Sequence, residues 1–183
     1  EELVREAAQD GAVLAVLPEC FAYLGPEEDK FKIAEPLPAG GPILARMCEL
    51  ARQTQCELVL GGYHEQTRDP RKLKNACLHV SEQGKVRAVY RKIHLFDVDL
   101  PDGTKLEESA TVEPGNDIVV TDTRAGRLGL SVCYDLRFPE LYRRLVDQGV
   151  RGFVVCLLFS YVNPVHERRL RDLIESEYPE VYL

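Results

Sequence analysis

The stretch GRLGLSVCYDLRFPE, Gly126 to Glu140, decides how this chain is read. Its first half, through Val132, is an apolar run of strand type. Its second half turns at once into a segment opened by Pro139, a residue suited to the first turn of a helix. Cys133 stands at the join. A side chain at such a sharp turn is displayed outward, and neighbouring backbone N–H groups can face a developing oxyanion. The same cysteine reads equally as a buried structural thiol, the common state of free cysteine.

Outward from that turn, helical and strand periodicities alternate. Glu1 to Gln9 carries apolar residues at helical spacing and is closed by Gly11. Ala12 to Leu17 is a continuous apolar run, as in a strand buried on both faces. Pro42 to Gln53 reads as a helix with Ile43, Leu44, Met47, Leu50 and Ala51 on one face. Leu58 to Gly62 is a further strand, and Ala76–Val80 with Val86–Tyr90 form a hairpin. A long loop follows, then a second hairpin from Ile118–Thr121 and Arg127–Val132. A helix is expected from Pro139 to Gln148, a strand from Gly152 to Phe159 and a charged helix from His166 to Glu177. Helices alternating with antiparallel hairpins predict an α/β or α+β layered domain.

Composition narrows the function classes. The 183 residues suffice for one packed domain and not for two. A net charge of −7 disfavours a nucleic-acid partner, which needs a basic surface. No run approaches the roughly 20 apolar residues of a membrane span, and no signal-peptide pattern is visible, although the text opens inside a helix and leaves an upstream address open. The six cysteines form no CxxC pair and no zinc-finger spacing, so they read as thiols in a reducing compartment, the cytoplasm. His64, His79, His94 and His166 are scattered, and no metal site is expected.

Two other strand ends share the character of Cys133. LPECF places Glu19 just beyond one buried strand, and YRKIHLFDVDLP places Lys92 just beyond another. Each alone reads equally as a solvated charge. Together, a carboxylate, an ammonium and a thiol on one rim have a chemical logic: base, oxyanion stabiliser and nucleophile.

These segments, with Glu107-Glu108-Ser109, Pro114-Gly115 and GRLGLSVCYDLRFPEL, resemble the nitrilase superfamily of carbon–nitrogen hydrolases, and within it the Nit-type amidases. The resemblance runs from Glu1 to about Val155. It implies a four-layer α-β-β-α sandwich, dimerised through outer helices, with no metal and no organic cofactor. By position it implies Glu19 as general base, Lys92 as oxyanion-stabilising lysine, Cys133 as nucleophile, Glu108 as a second active-site glutamate and the backbone N–H of Tyr134 as an oxyanion donor. The implied reaction is hydrolysis of a small amide through a cysteine thioester, with release of ammonia or an amine. CYDLRFPEL is most similar to the branch acting on small acidic amides, the omega-amidases and deaminated-glutathione amidases.

Residues 156–183 depart from the family text, and the family's opening strand is not present. The expectation is therefore a single, incomplete domain over residues 1–183. The competing reading is an inactive remnant that serves as an oligomerising or binding module. A thiol–disulfide enzyme is disfavoured because no resolving cysteine neighbours Cys133 in sequence.

Overall fold

The computed structural model describes residues 1–152, 154–157, 159–160 and 162–179. A four-stranded sheet in the order β1-β2-β3-β4 forms its centre, from Leu14–Leu17, Glu57–Gln66, Leu73–Val80 and Val86–Arg91. The β1–β2 pair is parallel, and β2, β3 and β4 are antiparallel neighbours. Two helices, α1 (Glu2–Gln9) and α2 (Pro42–Thr54), cover one face. There Val4, Leu44, Met47 and Leu50 meet Leu58, Leu60, Leu78 and Val80. The alternation along each strand sends Val59, Cys77 and Tyr90 to the opposite face, against Leu130 and Val132.

That second face is covered by a small hairpin, β7 (Val120–Thr123) with β8 (Gly126–Gly129). Beyond it lies α3 (Pro139–Asp147), whose buried Leu141 and Leu145 face inward. A Cβ at Gly129 would stand 2.6 Å from Leu145 Cδ2, so helix and hairpin meet closely there. Helix, sheet, sheet and helix are thus stacked, the α-β-β-α order expected from the sequence. The α2 start is held from a distance: the buried carboxylate of Glu35 accepts from the N–H groups of Gly41, Ile43 and Leu44 and from Tyr63 OH. It satisfies donors that a helix terminus otherwise leaves orphaned.

Three expectations are corrected. Residues Leu14–Leu17 are only half-buried, and among the described residues β2 is the one strand paired with β1. None of the described residues from Gly152 to Phe159 belongs to a strand; Phe153 and Leu158 lie outside the described residues. The Leu157 N–H is instead taken by the Glu167 carboxylate of α4 (Val165–Glu177) at 2.7 Å, and Val154 remains 55% exposed. An apolar cavity of about 300 Å³ lies between β1 and α3, lined by Val16, Val59, Cys77, Leu130, Leu145 and Val154. The long loop after β4 also contains a short two-stranded finger, β5 (Asp97–Asp99) and β6 (Lys105–Glu107).

Candidate active site

Glu19 owes its place to two glycines on the neighbouring strand. The chain leaves β1 through Pro18 and turns at Cys20, which has φ +61°. That turn rests on Gly61-Gly62, where the β2–β3 register shifts between Leu60 and Tyr63. A Cβ on Gly62 would lie 2.6 Å from Cys20 N and 2.9 Å from Glu19 Cγ; one on Gly61 would lie 2.7 Å from Leu17 O. Paired glycines inside an apolar strand are the sequence signal of such a bulge and close approach. Gly62 also has φ +69°, so Gly62→Ala combines backbone strain with a clash. It is expected to cost about 1–3 kcal/mol in urea denaturation. Unchanged stability would mean that the Glu19 turn is not seated on this strand.

Lys92 follows the end of β4, and its side chain is 2% exposed. Its backbone is pinned on both sides, by Lys92 N to Asn75 O and by Gly115 N to Lys92 O. A Cβ at Gly115 would lie 2.2 Å from Arg91 O, which is why that loop needs glycine. Lys92 Nζ donates to Glu108 Oε2 at 2.7 Å and lies 3.6 Å from Glu19 Oε1. Burial works against the ammonium, but the Glu108 hydrogen bond and the charges of Glu19 and Glu108 outweigh it and raise its pKa. The site lysine is therefore cationic at neutral pH.

Glu108 opens a 3-10 turn at the base of the finger. Its Oε2 also accepts from Phe96 N at 2.7 Å, and Glu108 N donates to Phe96 O. Asn75 on β3, not singled out in the sequence, bridges the two carboxylates: its Nδ2 donates to Glu19 Oε1 at 2.8 Å and to Glu108 Oε1 at 3.3 Å. The available signal was an asparagine inside a strand, where that residue is disfavoured.

Cys133 begins a 3-10 turn, Cys133–Arg137, with φ +50°, and is exposed to the cleft. A non-glycine residue there is strained by roughly 1–3 kcal/mol and persists only when its surroundings hold it. The holder is Asp135, which is fully buried. Its carboxylate accepts from Tyr90 OH at 2.6 Å, Val132 N at 3.0 Å, His94 N at 3.1 Å and His94 Nδ1 at 2.7 Å. The His94 ring in turn stacks on Phe138 at 3.7 Å between centroids. Asp135 thus ties the chain on both sides of Lys92 to the chain on both sides of Cys133. Tyr134, the second residue of that turn, packs edge-on against Phe96 and Phe138.

The Cys133 thiol is pushed up to about 11, first by burial and then by the charge of Glu19, with Lys92 opposing. At rest it is a thiol rather than a thiolate. Glu19 faces it closely enough to act by charge and by hydrogen bonding.

Glu19, Lys92, Glu108 and Cys133 line one cleft of about 400 Å³. Four residues separated by up to 114 positions in the chain are therefore brought together. Cys20, next to Glu19 in the chain, is half-buried in the wall of the same cleft. Among the described residues no group of His, Cys, Asp and Glu is arranged to hold a metal ion.

The family model for carbon-nitrogen hydrolases matches residues 1–171. The chain belongs to the carbon-nitrogen hydrolase family. All four cleft residues fall within the matched span, which continues past Val155. The chain is 44% identical over 151 residues to the deaminated glutathione amidase of Dictyostelium discoideum, covering 79% of the chain and 52% of that protein. It is 40% identical over 171 residues to the Homo sapiens deaminated glutathione amidase, covering 90% of the chain and 52% of that protein. The crystal structure of the C. elegans NitFhit protein superimposes with a TM-score of 0.73 at 34% identity, over 81% of this chain and 36% of that one. The chain spans about half the length of the curated relatives it matches. No helix among the described residues is long and apolar enough to cross a membrane.

Proposed function

We propose that this chain hydrolyses the amide bond of a small acidic amide through a thioester on Cys133. The observation that carries the reading is the shared cleft in which Lys92 Nζ contacts Glu108 and Glu19 while Cys133 faces Glu19. Glu19 takes the Sγ proton as Sγ attacks the amide carbon. Lys92 Nζ and the Tyr134 N–H stabilise the oxyanion. Glu19 then returns the proton to the leaving nitrogen, ammonia or an amine departs, and the thioester remains. Water enters, Glu19 removes its proton as the oxygen adds to the thioester, and collapse releases the acid while the departing Sγ takes the proton back from Glu19. Glu108 and Asn75 hold Lys92 and Glu19 in register. No step calls for a metal or organic cofactor. All six cysteines are free, which supports a reducing, cytoplasmic setting. Residues 1–183 act here as a single domain, and the partner expected is a second copy meeting it through the outer helices.

The test is ammonia release from dicarboxylic monoamides, with intact-mass detection of an acyl adduct mapped to Cys133. An adduct on Cys133 together with ammonia supports the reading. Neither, in a folded sample, leaves the second reading, a binding or oligomerising module. That reading draws on the apolar cavity between β1 and α3 and on the half-length match.

The acid–base assignment makes a signed prediction. In Glu19→Gln the carboxylate that raises the Cys133 thiol is gone, so its pKa falls and thiolate at pH 8 increases. Each tenfold gain in thiolate is partly offset by lower intrinsic nucleophilicity, leaving about threefold faster alkylation by iodoacetamide. Hydrolysis falls by about 100-fold or more in the same variant. Slower alkylation in Glu19→Gln would contradict Glu19 as the group that keeps the thiol protonated.

A further inference from the structure

Four ammonium groups line the cleft, and three have assignments. Lys92 belongs to the two glutamates, Lys74 pairs with Glu113 at 3.8 Å, and Lys105 lies 67% exposed beside Asp99. The fourth, Lys30, is only 7% exposed, on a 3-10 turn spanning Glu27–Lys32. Burying an ammonium is costly unless it is compensated. Here compensation comes from Thr111 Oγ1, 2.8 Å from Nζ, and from the carboxylate of Glu27. Thr111 is fixed to the catalytic side, its N–H donating to Glu108 O and its own carbonyl accepting from Leu73 N. Glu27 is different: its side chain is 77% exposed and belongs to Lys30's own turn. The cation is thus held by the wall while its counter-ion stands toward solvent, where an entering carboxylate can take its place. His64, half-buried in the same wall, has its Nδ1 buried without a hydrogen-bond partner among the described residues. Burial and the nearby Lys30 charge lower its pKa, so it is a neutral ring at pH 7 and leaves Lys30 as the cation of this end.

We propose that Lys30, anchored on Thr111, is the group that binds the free carboxylate of the substrate's acyl portion, with Glu27 as its resting counter-ion. This rests on the amidase reading of the same cleft. It assigns acid selectivity to a residue apart from the four that carry the chemistry. A carboxylate docked on Lys30 orients the amide carbon along the cleft toward Cys133, and binding energy at the far end is used to position the reacting end.

The experiment compares the parent chain with Lys30→Gln, Lys30→Arg and Thr111→Val. One readout is hydrolysis of succinamate against butyramide, a neutral amide of the same length. Lys30→Gln is expected to raise KM for succinamate at least about tenfold while butyramide is unchanged, since removing one partner of a buried charge pair costs that much or more. Lys30→Arg restores part of the preference. A second readout needs no turnover: succinate slows iodoacetamide labelling of Cys133 in the parent and in Lys30→Arg, but not in Lys30→Gln. Should the parent hydrolyse no amide, the amidase reading fails, and the labelling result still decides the subsite. Should Lys30→Gln not fold, Thr111→Val takes its place, with the same selective loss expected. Equal loss for both amides, or no protection of the parent by succinate, overturns the proposal.

Discussion

Cys133→Ala is expected to lower amide hydrolysis by roughly ten-thousandfold or more, with the fold intact. Among the described residues, the thiol is the nucleophile displayed at this point of the cleft. Cys20 shares the cavity, but it sits in the Glu19 turn, and burial and the Glu19 charge raise its pKa as well. The backbone at position 133 has φ +50°, and the cysteine is exposed to the cleft. The melting transition should therefore move by no more than a cleft-exposed substitution does, about 0.5 kcal/mol. Ammonia release and thermal melting on one preparation check both halves. Turnover within about tenfold of the parent would remove Cys133 from the mechanism.

Asp135→Ala is expected to have the largest effect on stability, about 3–5 kcal/mol in urea denaturation. It leaves Tyr90 OH, Val132 N and two nitrogens of His94 without their shared acceptor. Burial and the hydrogen bond to Asp135 now hold the Tyr90 hydroxyl firmly protonated, so the loss falls on a donor that cannot ionise in exchange. Asp135→Asn keeps the volume but turns one acceptor into a donor facing those same groups. It should lose less stability than alanine and still release the strained Cys133 turn, visible as lower kcat at similar KM. A cost below about 1 kcal/mol for the alanine variant would show that the four hydrogen bonds do not hold the turn.

Much of this architecture was legible because apolar runs end abruptly. The run to Leu17 stops at Pro18, the strand read to Tyr90 stops just before Arg91 and Lys92, and the run to Val132 stops at Cys133. Reactive side chains just past those ends could be named from the text, as could the face of α2 that carries Leu44, Met47 and Leu50. What escaped was whatever depends on distant partners. Asn75 and Asp135 are ordinary polar residues until Glu19, Glu108, Tyr90 and His94 are brought to them. Lys30 gives no sign in its own turn that Thr111 closes over it. The finger escaped because Asp97-Val98-Asp99 and Lys105-Leu106-Glu107 are short and mostly charged. The apolar text after Arg151 misled in the opposite sense: hydrophobicity suits a strand, but pairing makes one, and Leu157 gives its N–H to Glu167 instead.

The finger is latched at its root. Phe96 and Glu108 exchange hydrogen bonds there, and Ser109 N donates to Asp97 Oδ1. Its tip closes on itself, through Leu100 N to Thr104 O and Thr104 N to Asp102 Oδ1, and every residue from Asp99 to Glu107 is exposed. Length added at such a tip costs little closure entropy. The root, not the tip, carries Glu108. The crest of the hairpin is therefore a graft point, where an epitope or a fluorophore can report on traffic through the cleft mouth while the Glu108 carboxylate keeps its bearings.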